Sequence, residues 1–141
     1  MKSNLVTKIM TKNVVCVSPE QSLLDVKHIY EKKEFHHHIP VTENEKLVGI
    51  VSLIDFMYNI AGAGLSDDNI VYSKLKVKDI MTKHPFYLTT NATIKDVSEV
   101  LAKGNYHAVP IVEEDKKIVG IVSTADVIKF LLTAHSTSKI I

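Results

Sequence analysis

The hydrophobic and polar positions of this chain follow a pattern that occurs twice. Residues 47–55 read LVGIVSLID and residues 118–126 read IVGIVSTAD, 71 positions later in a chain of 141 residues. In each copy a β-branched run leads directly into Ser-x-x-Asp, which predicts the end of a strand, a sharp turn and the start of a helix. The serine then takes the N-cap position, and Asp55 or Asp126 takes the N3 position, where a carboxylate is favoured.

The similarity between the two halves extends beyond this phrase. Ile-Met-Thr-Lys occurs at residues 9–12 and again at 80–83. The apolar runs 14–17 and 85–88 each predict a short buried strand. Ser22 with Asp25 and Thr93 with Asp96 predict two more helix starts, and the apolar positions that follow them have helical spacing. No Gly-Ile-Val strand precedes these two helix starts, so we interpret them as caps only.

After each of these helices comes a strand that contains a proline, in residues 36–41 (HHHIPV) and 106–111 (YHAVPI). Polar hairpin turns follow at 43–46 and 113–116, before the Gly-Ile-Val-Ser strands. Each half therefore reads β-α-β-β-α, and the fold class is α+β. One half alone has too little core, so we expect two pseudo-symmetric halves packed through their sheets.

The same comparison predicts the boundaries of the repeats. We place the first repeat at residues 1–62 and the second at 75–133. The Gly-containing polar segment between them predicts a linker over 63–74. The polar C-terminus predicts a flexible tail over 134–141.

Composition narrows the function classes. A net charge of +1 does not favour nucleic acid or an anionic membrane as a partner, and no apolar run is long enough to span a bilayer. The N-terminus lacks the apolar core of a signal peptide. Cys16 is the single cysteine, so we interpret it as a buried strand residue in a reducing compartment. Together these features predict a cytoplasmic protein.

The ordered set of Ile-Met-Thr, capped helix, Pro-containing strand and Gly-Ile-Val-Ser-x-x-Asp resembles the CBS domain. Two copies in tandem resemble a CBS pair, also called a Bateman module, over about residues 5–60 and 75–133. The resemblance implies two clefts that bind an adenosine-containing ligand, with AMP, ADP or ATP favoured and S-adenosylmethionine as another candidate. It also implies a regulatory module rather than an enzyme, a homodimer, a regulated protein partner and no obligatory cofactor.

The resemblance assigns the ribose hydroxyls to the Asp of Ser-x-x-Asp and the phosphate to the serine, with base contacts from the opposite half. The favoured site then contains Thr11, Val14, Cys16, His36, His37, His38, Pro40, Ile121, Ser123, Thr124 and Asp126. The second site contains Ile50, Ser52, Asp55, Thr82, Pro85, Tyr87, Tyr106, His107, Ala108 and Pro110. The favoured site is preferred for a phosphorylated nucleotide, because Thr124 adds a hydroxyl where the second site has Leu53.

Simpler interpretations remain open beside these. Both Ser-x-x-Asp turns can be helix caps and nothing more. The three histidines 36–38 invite a metal site, but no Cys or carboxylate lies at ligand spacing nearby, so we predict no metal. A serine hydrolase is disfavoured because the Gly-x-Ser-x-Gly signature is absent. The alternative function is a structural or adaptor homodimer that modulates a partner without a physiological nucleotide.

Overall fold

The computed structural model describes residues 4–32 and 37–138, except the side chains of 135–138. The chain forms two compact units. The first unit consists of residues 15–85, and the second unit consists of residues 1–14 together with 86–141. Each unit thus contains most of one repeat and the leading segment of the other.

The first unit contains a three-stranded antiparallel sheet with the order β1-β2-β3. Its elements are α1 (Leu23–Tyr30), β1 (His38–Glu43), β2 (Lys46–Ser52), α2 (Leu53–Ile60), α3 (Val71–Lys74), α4 (Val77–Ile80) and β3 (Thr82–Lys83). Its core contains Val17, Leu23, Val26, Ile39, Val41, Val51, Phe56, Tyr72, Val77 and Ile80.

The second unit begins with a short 3-10 helix, Val6–Lys8, and contains a sheet with the order β4-β5-β6. Its other elements are β4 (Leu88–Thr89), α5 (Ile94–Ala102), β5 (Ala108–Val112), β6 (Ile118–Ser123) and α6 (Thr124–Ser138). Strand β4 is parallel to β5, and β5 is antiparallel to β6. Its core contains Val6, Ala92, Val97, Leu101, Val109, Ile111, Val122 and Val127.

The segment before each repeat's first helix, which contains Ile-Met-Thr, belongs to the unit of the other repeat. These two leading segments pair with equivalent strands in the two units. In the first unit Thr82 pairs with Ile50 of β2. In the second unit Thr11 pairs with Ile121 of β6, through N–H···O bonds of 2.8 and 3.0 Å. The Ile-Met-Thr motif of each repeat therefore lies beside the Gly-Ile-Val-Ser strand of the other repeat.

A close contact accompanies each of these pairings. A Cβ atom on Gly120 would lie 2.5 Å from Sδ of Met10, and one on Gly49 would lie 2.6 Å from Sδ of Met81. These distances are too short for any side chain larger than hydrogen, so the glycine of each strand makes room for the methionine of the leading segment. This explains why the two motifs recur together.

Several predictions from the sequence are confirmed. Helices begin at both Ser-x-x-Asp turns. The first hairpin turn is closed by the pairing of Glu43 with Lys46, and the second by backbone hydrogen bonds of Glu113 with Lys116 and Lys117. The pattern after Thr93 also forms a helix, and Gly104 follows its end with a φ of 82°, as a C′ glycine does.

Other predictions need correction. The runs 14–17 and 85–88 are not regular buried strands: Val17 makes only an isolated bridge to Val41, and β4 is limited to Leu88–Thr89. Val15, Phe86 and Tyr87 are exposed, which removes the continuous apolar face that a buried strand needs. Ser22 precedes α1 but makes no side-chain capping bond.

The predicted linker and tail are also more ordered than expected. The span 63–74 ends in helix α3, where Tyr72 is fully buried and donates a hydrogen bond to the Gly64 carbonyl at 2.8 Å. The predicted tail 134–141 is helical as far as Ser138. No helix in the described part of the chain has the length and apolar character needed to cross a membrane.

Candidate functional site

The turn between β6 and α6 forms a reciprocal cap. The Ser123 N–H donates to Oδ2 of Asp126 at 2.8 Å, and the Asp126 N–H donates to Oγ of Ser123 at 3.3 Å. The capping interpretation of this motif is therefore correct as far as it goes. The cap uses only the Oδ2 atom of the Asp126 carboxylate, so its Oδ1 atom takes no part in the cap.

The leading segment brings a hydroxyl to the same carboxylate. Thr11 lies beside Ile121 in the paired strands, and its hydroxyl donates to Oδ2 of Asp126 over a long 3.5 Å. Asp126 is half-buried. Within the described residues, no hydrogen bond reaches its Oδ1 atom. This leaves one acceptor oxygen beside a hydroxyl at the start of a helix.

The turn between β2 and α2 has the same cap with different distances. The Ser52 N–H donates to Oδ2 of Asp55 at 3.4 Å, and the Asp55 N–H donates to Oγ of Ser52 at 3.0 Å. Asp55 is half-buried, and no hydrogen bond within the described part of the chain reaches its Oδ1 atom. Thr82 is exposed and pairs with Ile50, as Thr11 pairs with Ile121. The Thr82 hydroxyl makes no hydrogen bond to Asp55, whereas the Thr11 hydroxyl donates to Asp126.

A residue that the sequence interpretation missed lies near Asp55. The hydroxyl of Tyr30 donates to the His37 carbonyl at 3.3 Å, and the Leu53 N–H donates to that same carbonyl at 2.8 Å. Burial and, to a lesser degree, the nearby Asp55 carboxylate raise the pKa of the Tyr30 phenol. Helical spacing made Tyr30 look like an ordinary core position, and its polar end gives no separate sequence signal.

The structure divides the residues predicted for each site between the two units. Thr11, Val14, Ile121, Ser123, Thr124 and Asp126 belong to the second unit. Cys16, His37, His38 and Pro40 belong to the first unit, and burial raises the pKa of the Cys16 thiol. His36 lies outside the described residues. Membership of all these residues in one site stays a prediction.

The second predicted site is divided in the same way. Ile50, Ser52, Asp55, Thr82 and Pro85 belong to the first unit. Tyr87, Tyr106, His107, Ala108 and Pro110 belong to the second unit. Tyr106 is exposed and stacks on Phe86, with ring centroids 5.2 Å apart, whereas Ala108 and Pro110 are buried in β5. A ligand would meet β5 chiefly through its backbone.

One group of His and acidic side chains away from these turns has ligand atoms within 4.8 Å of one another, formed by His28, Glu31 and Asp67. The ammonium of Lys27 lies 2.5 Å from Glu31 and 2.7 Å from Asp67, and it also lies over the Tyr72 ring. Because this buried ammonium already supplies the positive charge, we assign the group to holding the 61–70 loop against α1.

Comparison with known proteins agrees with this duplicated architecture. An uncharacterized protein of Methanocaldococcus jannaschii is 36% identical over 137 residues, which cover 96% of this chain and 47% of that protein. The chain spans less than half of the length of several curated relatives that it matches.

Two sets of crystal structures share the fold. The CBS-pair protein CBSX2 of Arabidopsis thaliana is 25% identical, with a TM-score of 0.77 over 94% of this chain and 96% of CBSX2. CBSX2 has also been crystallised in complex with AMP. The CBS domain pair of protein MJ0100, in complex with 5-methylthioadenosine and S-adenosyl-L-methionine, has a TM-score of 0.76 at 24% identity, over 92% of this chain and 97% of that one.

The family model of the CBS domain matches residues 6–62 and again residues 77–133. These two matches contain both Ser-x-x-Asp turns and both Ile-Met-Thr segments. The chain therefore belongs to the CBS domain family, as a tandem CBS pair with an α+β fold.

Proposed function

We propose that this protein is a regulatory module that binds an adenosine-containing ligand through the carboxylates of its two Ser-x-x-Asp turns. The observation that carries the proposal is the half-buried Asp126, whose Oδ2 atom accepts the cap and Thr11 bonds while Oδ1 accepts none from the described residues. A carboxylate accepts hydrogen bonds from two adjacent hydroxyls, as a ribose diol offers. The AMP complex of CBSX2 and the two adenosine-type ligands of MJ0100 support the ligand class.

AMP, ADP and ATP are the favoured ligands, with S-adenosylmethionine as the other candidate. The helix N-terminus at Ser123 offers backbone N–H groups to a phosphate, and Thr124 adds an exposed hydroxyl there. The chain contains no arginine, so its cationic contacts to phosphate come from lysine or histidine. Lysine binds phosphate as a point charge without the bidentate fork of arginine, which favours a short phosphate chain.

We assign the remaining ligand contacts as the sequence predicts. The other residues that the sequence predicts for the favoured site and for the second site remain part of this proposal. The ligand then acts by binding one arrangement of the protein more tightly than another. The output passes to a regulated protein partner.

We further propose that the protein is a homodimer. Helix α2 exposes Ile54, Met57 and Tyr58, which are 58–85% exposed, and α6 exposes Ile128, Leu131 and Leu132, which are 49–64% exposed. Both sets have i, i+3, i+4 spacing and therefore form one apolar stripe on each helix. A two-fold interface suits such surfaces, because each stripe can meet an identical stripe on the second copy.

Thermal unfolding with AMP, ADP, ATP, S-adenosylmethionine and adenosine tests the proposed function. A ligand at about 100 times its dissociation constant should stabilise the native protein by about 2.7 kcal/mol. Asp126→Ala should remove most of the ligand shift at the favoured site. Because it also removes the N3 carboxylate of a capping box, the variant should lose about 0.3–1.5 kcal/mol without ligand.

Asp96→Ala is the matched control. Thr93 and Asp96 form the same reciprocal cap at the start of α5, with bonds of 2.9 and 3.0 Å, and they are not assigned to a site. This variant should lose comparable stability and keep the full ligand shift. The absence of a shift with every ligand in the wild-type protein would instead support the adaptor homodimer.

A further inference from the structure

We propose that Thr11 is a positioning residue that orients the Asp126 carboxylate, so that the Asp126 turn binds its ligand before the Asp55 turn does. This inference rests on the proposed function. It adds an order of occupancy to the two turns and assigns that order to one hydroxyl group, which needs no contact of its own with the ligand.

The carboxylate of Asp126 is held by two donors on one oxygen. Its Oδ2 atom accepts the Ser123 N–H at 2.8 Å and the Thr11 hydroxyl at 3.5 Å. A carboxylate is an acceptor only, so both of these groups donate to it. Together they restrict rotation of the carboxylate and thereby set the direction of Oδ1, which accepts no hydrogen bond from the described residues.

The carboxylate of Asp55 is held less firmly. The Ser52 N–H lies 3.4 Å from Oδ2 of Asp55 and is its one donor among the described residues. Thr82 takes the place of Thr11 in this unit, but it is exposed, whereas Thr11 is half-buried, and it makes no hydrogen bond to Asp55. A ribose at Asp55 must therefore order a freer side chain, which is a cost that the oriented Asp126 avoids.

The Thr11 hydroxyl is placed by contacts on both sides of the residue. The Thr11 N–H donates to the Ile121 carbonyl at 2.8 Å, and the Thr11 carbonyl accepts the Ile121 N–H at 3.0 Å. The preceding Met10 packs against Gly120, where a Cβ atom would lie 2.5 Å from its Sδ. These contacts hold residue 11 beside β6, so its hydroxyl has the defined position that preorganisation requires.

Unequal turns change how the module responds to ligand. Each turn is half-occupied at its own dissociation constant, so a low ligand concentration fills the Asp126 turn and a higher one fills the Asp55 turn. The protein then has a singly occupied state between the empty and the full states. Its regulatory response extends over a wider concentration range than two equal sites would give.

Calorimetric titration with adenosine tests the order of binding. Adenosine has no phosphate, so the comparison isolates recognition of the sugar and the base. Asp126→Ala should remove the tighter binding phase, and Asp55→Ala should remove the weaker one. In the Asp55→Ala background, Thr11→Val should weaken adenosine binding at least about threefold, the effect of one hydrogen bond. Thr11→Ser should restore the affinity.

Two further measurements separate positioning from direct contact. The analogue 2′,3′-dideoxyadenosine offers no hydroxyl to Asp126, so Thr11→Val should not change its affinity. Without ligand, urea unfolding of Thr11→Val, Asp126→Ala and the double variant should show a combined loss smaller than the sum of the single losses. Thr93→Val is the control, because its hydroxyl accepts the Asp96 N–H at 3.0 Å in the same unit and is not assigned to a site. This control should lower stability and leave both affinities unchanged.

The inference is overturned if the two turns bind adenosine equally, or if Asp126→Ala leaves the tighter phase in place. It is also overturned if Thr11→Val weakens adenosine and the dideoxy analogue to the same extent, or if the unfolding losses add strictly. In each of these cases adenosine still binds, so the proposed function stands. If the wild-type protein binds neither adenosine nor AMP, the proposed function itself fails.

Discussion

Each Gly-Ile-Val-Ser strand requires glycine at its first position, because a methionine side chain occupies the space that a Cβ atom would take. The Cβ position of Gly120 is filled by Sδ of Met10 at 2.5 Å and by the Thr11 carbonyl oxygen at 3.0 Å. Met10 and Met81 both pack against the buried clusters. The sequence did not predict their glycine partners, because each pair joins residues that are far apart in the chain.

We expect Gly120→Ala to lower the free energy of unfolding by about 1–3 kcal/mol, because the added methyl group overpacks this contact. The variant Met10→Ala should make the same substitution less costly, so a double-mutant cycle should show favourable coupling. Denaturant unfolding measures both effects. Gly64→Ala is the control, since its Cβ would meet only Asn69 at an ordinary 3.7 Å. Strict additivity of Gly120→Ala and Met10→Ala would contradict this account.

Among the elements, residues 61–70 between α2 and α3 differ most from what the sequence predicted. Their Gly and polar residues predicted a linker, yet Asp67 binds Lys27 of α1 at 2.7 Å and Tyr72 enters the core. Lysine within a helical pattern normally indicates a solvated face. Here the ammonium is buried because Glu31, Asp67 and the Tyr72 ring surround it, and two of these three residues lie outside α1 and its C-cap.

Asp67→Asn should reveal this contact through its pH dependence. Hydrogen bonds from Lys27 and then His28 hold the pKa of the Asp67 carboxyl below its usual value of 3.8. Because the folded-state pKa is lowered, the contribution to stability is present above pH 3.8 and is lost as the pH falls through the folded-state value. Asp67→Asn should therefore be less stable than the wild-type protein at pH 7, and the difference should shrink in acid.

Chemical unfolding at pH 7 and at a series of acidic pH values measures that difference. Asp68→Asn serves as the control, since Asp68 lies next in the loop and forms no ion pair with α1 among the described residues. A difference between Asp67→Asn and the wild-type protein that stays constant with pH would exclude the ion pair as its cause.

For the whole molecule, the sequence predicted the duplication and the order of most elements, because the same pattern of apolar runs and caps occurs twice. It could not predict how the chain divides into units. The Ile-Met-Thr segment of each repeat is adjacent in sequence to its own repeat, but Thr82 pairs with Ile50 and Thr11 with Ile121. Strand pairing across the repeats has no local signal in a single sequence.

The same limit applies to the two proposed ligand sites. Both acidic residues and their serines were predicted from one motif, and the caps at Asp55 and Asp126 have the expected form. The two groups that distinguish the turns, Tyr30 and Thr11, come from other segments of the chain. Local patterns therefore predicted what the two turns share, and the differences between the turns depend on tertiary structure.

The apolar stripes on α2 and α6 give a prediction for the assembly. Tyr58→Glu or Leu132→Glu would place like charges near each other across a two-fold interface, which opposes association. Sedimentation velocity should show a dimer for the wild-type protein and a dissociation constant at least about tenfold weaker for each variant, a change of about 1.4 kcal/mol. Leu65→Glu should not weaken the dimer, because Leu65 is equally apolar and 71% exposed but lies outside both stripes. A monomeric wild-type protein, or an equal effect of Leu65→Glu, would show that these helices do not form the interface.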